Sequence, residues 1–138
     1  MKRIPFLAIA LSLLFALPAR AETVTYTVLF SALWEEVALG VSTGEKVTDG
    51  AGKEKAGEVV SVSTEQALCD RYDEKAGALV AEATPRCLDL LLTVRAEAQR
   101  RDGVLVAGTL RLRVGETVAL HLPHLSAEGR IVKVEASP

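Results

Sequence analysis

The sequence predicts a mostly β protein, a small antiparallel sandwich or barrel with one short helical or irregular excursion. Apolar and polar residues alternate with period two in run after run, "TVTYTVLFSALW" being the clearest. That is the spacing of a strand with one buried and one wet face. Turn formers at Asp102–Gly103, Gly115 and Gly129 punctuate the later runs, as in sandwiches and barrels whose strands recur about every ten residues. Trp34 precedes both cysteines, Cys69 and Cys87, and these lie too close together for an immunoglobulin bridge.

The N-terminus reads as an export signal. Lys2 and Arg3 precede the apolar "IPFLAIALSLLFAL", and Ala19 to Ala21, "ARA", fits a small-x-small cleavage site. The competing reading is an uncleaved anchor, although the apolar run is short for a membrane span. Cleavage leaves residues 22–138, 117 residues and one domain, with no cysteine after the cut for a lipid anchor. The formal charge is −2, and losing Lys2, Arg3 and Arg20 takes it to −5. An acidic chain with three Phe, two Tyr and one Trp lacks the basic footprint and the stacking platform of a nucleic-acid binder.

Along the chain, Val24, Tyr26, Val28, Phe30, Ala32 and Trp34 share one face of a first strand, with Trp34 expected in the core. Val37 to Val41 is a second apolar piece, and Ser42 to Glu58 reads as a mobile loop or frayed hairpin tip. "EVVSVS" resumes as a strand from Glu58. Ser63 followed three residues later by Gln66 fits a capping box, with Gly77 as a stop, and predicts a short helix or an irregular excursion held by Cys69. Ala78 to Ala83 is a further short strand, and Pro85 interrupts the chain before Leu88.

From Leu88 to Ala98 every even residue is apolar, and Val104, Val106, Leu110, Leu112 and Val114 continue the even set. A two-residue turn at Asp102 and Gly103 would set Val94 opposite Arg111 and mix the faces, so the register requires a three-residue loop, Arg101 to Gly103, that pairs Arg100 with Val104 and Val94 with Leu110. Ala96 would then face Gly108, two small residues that suggest close approach of another segment. Two strands close the chain, with Val118, Leu120 and Leu122 inward on one and Val132, Val134 and Ala136 on the other.

In an exported chain two cysteines eighteen positions apart make one disulfide, Cys69 to Cys87. Catalytic motifs are missing. "DGAGKE" resembles a phosphate loop only superficially, because Val47 stands where its first glycine belongs and Glu54 where a hydroxyl residue would hold magnesium. Glu35 and Glu36 are adjacent, hence on opposite strand faces, and make a poor acid–base pair. No cofactor is expected.

What remains is surface. Arg95, Arg111 and Arg113, with Arg100 and Arg101 near the tip, would form a basic stripe on the hairpin's polar face for an acidic partner or an anionic headgroup. The hairpin is similar to a segment of bacterial secretins and other envelope-machine subunits. That resemblance implies a place in a secretion- or pilus-type assembly and carries no functional residue over. The resulting expectation is a non-enzymatic exported module that docks another cell-envelope protein, by an open sheet edge or by these arginines. The alternatives are a carrier of a small apolar or lipid ligand, and a small metal-dependent enzyme at His121 and His124 in "HLPH".

Overall fold

A computed structural model describes residues 21–136. Its elements are β1 (Glu22–Trp34), α1 (Glu35–Ala38), β2 (Lys46–Asp49), β3 (Lys55–Asp73), β4 (Ala78–Arg101), β5 (Val104–Ala107), β6 (Leu110–Arg111), β7 (Thr117–Leu122) and β8 (Leu125–Ala136). Every ladder is antiparallel. The strand order runs β1-β8-β7-β2-β3-β4, and β4 pairs back onto β1. Six strands therefore close into a barrel, and β5 with β6 forms a ribbon appended to the end of β4. Closure removes edges from the ring and divides each strand into an inward and an outward face.

The inward face is the even set of β1 and β4. Val24, Tyr26, Val28, Phe30, Leu90, Leu92, Val94 and Ala98 are fully buried, joined by Leu120 and Ile131. One polar atom among them has a definite purpose. Opposite β2, Val47 faces Gly57 and Thr48 faces Lys55, so Ala56 is an extra residue in its ladder. The Tyr26 hydroxyl donates to the Ala56 carbonyl at 2.8 Å inside the barrel. Burial pushes the Tyr26 pKa far above its ordinary value, which keeps that donor protonated. Beside it, a Cβ on Gly57 (φ +131°) would lie 2.5 Å from the Arg95 carbonyl oxygen and 3.0 Å from the Ala96 Cβ. Ala96 does mark a close approach, but by Gly57 and not by Gly108.

The hairpin register departs from expectation. Arg101 faces Val104 and Gln99 faces Val106, so the turn has two residues. Both of them, Asp102 (φ 51°) and Gly103 (φ 78°), lie in the left-handed region that such a turn demands. The three-residue loop failed because Val104 to Val114 is not one strand. A second two-residue turn at Gly108 and Thr109 sets Ala107 opposite Leu110. Each such turn exchanges odd for even, so Leu105 and Ala107 are buried together with Leu110 and Leu112. Val94 meets Tyr26 and Val59 instead of Leu110.

Other local readings shift for similar reasons. In β8 a bulge between Ile131 and Lys133 leaves Val132 unpaired, so Ile131 is buried and Val132 is exposed. Ser42 to Glu58 contains β2 and the start of β3, anchored by the buried Val47. Ser63 to Asp73 is not helical, because Ser63 and Gln66 sit in the β3–β4 ladder opposite Leu91 and Leu88. A cap contributes about 1 kcal/mol, less than a continuous ladder with a well-packed neighbouring strand. The single helix of the described residues is α1, which starts directly after Trp34 and overlaps the apolar piece only at Val37 and Ala38.

Candidate functional site

The same two strands that help close the barrel run on past it. β1 leaves β4 at the pair Trp34–Cys87, yet β4 begins nine residues earlier at Ala78, paired there only with β3. Between Gln66–Leu88 and Leu68–Ala83, residue 67 alone faces residues 84–87. This large bulge, which includes Pro85, lies where β4 is released from β3, a place that tolerates a residue without an N–H. The Cys69–Cys87 disulfide spans it, with the Cα atoms 6.2 Å apart. The two-stranded arm beyond is thus stapled to the barrel at its base.

At the arm's tip the Asp73 carboxylate accepts from the Lys75 N–H at 2.9 Å, and the Gly77 N–H donates to the Asp73 carbonyl at 2.8 Å. Cross-strand partners share a face. Leu68, Asp70 and Tyr72 therefore stand with Ala83, Ala81 and Leu79 on one side, and Cys69 and Arg71 stand with Glu82 and Val80 on the other. Apart from Asp70, the first side is apolar, and it is open: Leu68 is 65 %, Tyr72 60 % and Leu79 67 % exposed. The second carries an Arg71–Glu82 ion pair. Beyond Val59 no strand among the described residues pairs with the second edge of β3, and none pairs with that edge of β4 before Cys87.

Trp34, expected in the core, is 70 % exposed at the base of this arm. The cause is a bulge in β1 between Phe30 and Leu33, opposite Leu90 and Leu88. Within it Ala32 adopts φ 55°, and its N–H donates to the Asp89 carboxylate at 2.9 Å. For a residue with a Cβ that conformation costs roughly 1–2 kcal/mol. The bulge turns Leu33 toward the core and Trp34 away from it. Beside the indole is a concavity of about 350 Å³ whose lining includes Cys69, Asp70, Arg71, Glu82, Arg86 and Cys87, and a second of about 360 Å³ lies against Glu35, Glu36 and Arg86. The even positions are apolar through Trp34, which hid this bulge, and the sequence hint was Leu33 on the mostly polar odd face.

The arginines do not assemble into a stripe by pairing. Arg95 is exposed between Thr25 and Glu58, whereas Arg111 lies on β6 opposite Val106 and Arg113 follows β6. Arg100 forms an ion pair with Glu22 at 3.2 Å. His121 and His124 are exposed at the end of β7 and in the turn after it. Among the described residues no three His, Cys, Asp or Glu side chains come together as metal ligands would. The phosphate-loop resemblance also has a structural explanation. The Ala51 and Lys53 N–H groups both donate to the Asp49 carboxylate at 3.2 Å, so the loop wraps its own anion. The Thr109 hydroxyl adds a bond at 2.8 Å. That hydroxyl and the backbone donors hold the Asp49 pKa below the usual carboxylate range, against the effect of burial.

Comparison with known families gives one match. The profile described as "Domain of unknown function (DUF4330)" covers residues 11–135. The chain belongs to that family. The match spans barrel and arm alike, and the family's description assigns no activity. No curated protein and no solved structure matches the chain. No helix among the described residues is long and apolar enough to cross a membrane.

Proposed function

We propose that this member of the DUF4330 family is a non-enzymatic exported module that docks another cell-envelope protein, and that it does so through the projecting arm. One observation carries the reading: an exposed stripe of Leu68, Tyr72 and Leu79 on strands whose outer edges are unpaired. Water does not tolerate such a stripe without cost, and an open edge offers N–H and C=O groups to an extended segment. Main-chain pairing would supply affinity, and the stripe would supply selectivity. Export is supported by the basic start, the apolar run and the small residues up to Ala21. The disulfide fits an oxidising compartment.

The carrier reading finds less support, because large side chains such as Tyr26, Phe30, Leu90 and Leu92 fill the barrel. A barrel of about eight strands is the size that begins to leave room for a ligand, and this ring has six.

The experiment is photo-crosslinking in the native envelope, with the photoreactive residue at Leu79 on the arm or at Arg111 off it. The expected outcome is a defined adduct from Leu79, lost when Leu68 is changed to Asp in the same chain, and none from Arg111. Adducts from Arg111 with none from Leu79 would sink the arm as the docking surface.

A further inference from the structure

We propose that Trp34 anchors this docking surface by receiving a cationic side chain, Lys or Arg, from an extended partner segment in which basic and apolar residues alternate. The inference rests on the docking reading of the arm and names the chemistry of its partner.

Four observations converge. First, Trp34 is exposed by construction. Unbroken alternation would bury it, and the strained bulge at Ala32, pinned by Asp89, reverses that. Bulges recur where a strand must re-aim a side chain. Second, the indole stands between the two concavities, so a ligand group has room beside it. Third, the surroundings are acidic: Glu35, Glu36, Asp70 and Glu82 line these spaces, against Arg71 and Arg86. The Arg71 guanidinium and the Glu82 carboxylate take each other up, which leaves Glu35, Glu36 and Asp70 against Arg86. The negative face of an indole together with nearby carboxylates is the chemistry that holds a cation. The charge of −2 over the whole sequence has the same sign.

Fourth, the geometry fixes the form of the partner. β1 departs from β4 at Trp34, so the edge of β4 from Ala78 to Ala83 lies open in line with β1. A segment paired there would project successive side chains to opposite faces. One set would reach the side of Leu79, where apolar residues fit. The other would reach the side of Cys69, Arg71 and Glu82, which shares its concavity with Trp34.

Trp34 is the chain's sole tryptophan, so its emission reports on this place alone. The test titrates the whole protein, disulfide intact, with an acetylated and amidated heptapeptide alternating Val and Arg. A Val and Glu peptide of the same length is the control. The expected result is a saturable change in Trp34 emission with the basic peptide, weakened by salt and absent with the acidic one. The paired change Glu35→Gln with Glu36→Gln should weaken binding about three-fold, the scale of exposed charge pairs. Trp34→Leu, followed by calorimetry, should weaken it about ten-fold. Equal response to both peptides, no response to either, or a shift only on anionic phospholipid vesicles would each overturn the proposal. If the Leu79 crosslink forms normally in Trp34→Leu protein, the docking reading survives and the cation site does not.

Discussion

The arm continues two of the barrel's six strands, β3 and β4, and the two regions obey opposite rules. Inside the ring, β4 lies between β3 and β1 and its inward apolar residues are sealed, with Leu90, Leu92 and Val94 fully buried. Past the bulge at residues 84–87 the strands have only each other, and Leu68, Tyr72 and Leu79 are left in water. An isolated two-stranded ribbon is marginal in water. The disulfide at its base is therefore the device that lets the ribbon persist without a core. Stability resides in the ring, and the arm carries the proposed docking surface.

Truncating one leucine in each region puts this contrast to its hardest test. Leu92→Ala removes a fully buried side chain, and the expected loss is about 2–5 kcal/mol. Leu79→Ala removes an exposed one, and the expected change is within about 0.5 kcal/mol. Urea unfolding followed by circular dichroism measures both. Comparable losses would mean that the arm is part of the cooperative core.

The staple comes next. Replacing Cys69 and Cys87 together by Ala opens a loop closed across 18 positions, and the chain-entropy treatment puts the loss at roughly 3 kcal/mol. Amide exchange localises the effect. Protection should fall in β3 beyond Gln66 and in β4 before Leu88, and persist around Tyr26 and Leu92.

Which features were legible in the sequence depends on the physical origin of each. The inward sets of β1, β4 and β7 were legible because burial in a closed barrel imposes period two along a strand. Parity changes were not. "VLVAG" is apolar at every position but its last, so alternation could not say that Leu105 and Ala107 are the inward pair, nor that Gly108 begins a second turn. The bulge at Ala32 was nearly as silent, because it depends on a carboxylate, Asp89, supplied from another strand. The disulfide was readable from compartment and count, and the arm it staples was not. Its helix-like cues, Ser63 and Gln66, are local, whereas the ladder that overrides them comes from β4.

A more modest change separates the barrel's polar interior from its apolar packing. Tyr26→Phe keeps the ring and removes the donor to the Ala56 carbonyl. The expected loss is about 1–2 kcal/mol, the range for leaving a buried acceptor without its partner. Thermal unfolding of the variant measures it. A neutral result would mean that the bulged carbonyl finds another donor.

The weakest response expected is to pH, in the β2–β3 loop, where Asp49 accepts from Thr109 of the β5–β6 turn. Asp49 has a lowered pKa in the folded protein because the Thr109 hydroxyl and the backbone N–H groups favour its charged form. The folded state therefore binds this proton less readily than the unfolded chain. Its contribution to stability is complete above the ordinary Asp value of about 3.9, and it is lost as pH falls through the lower folded value. Asp49→Asn cannot carry that charge, so the variant should show less acid dependence in this window while its stability above it is reduced. Urea midpoints of both proteins, measured from neutral pH downward, give the comparison. Parallel curves would assign the acid response to other carboxylates and leave Asp49 as a hydrogen-bond acceptor whose charge is incidental.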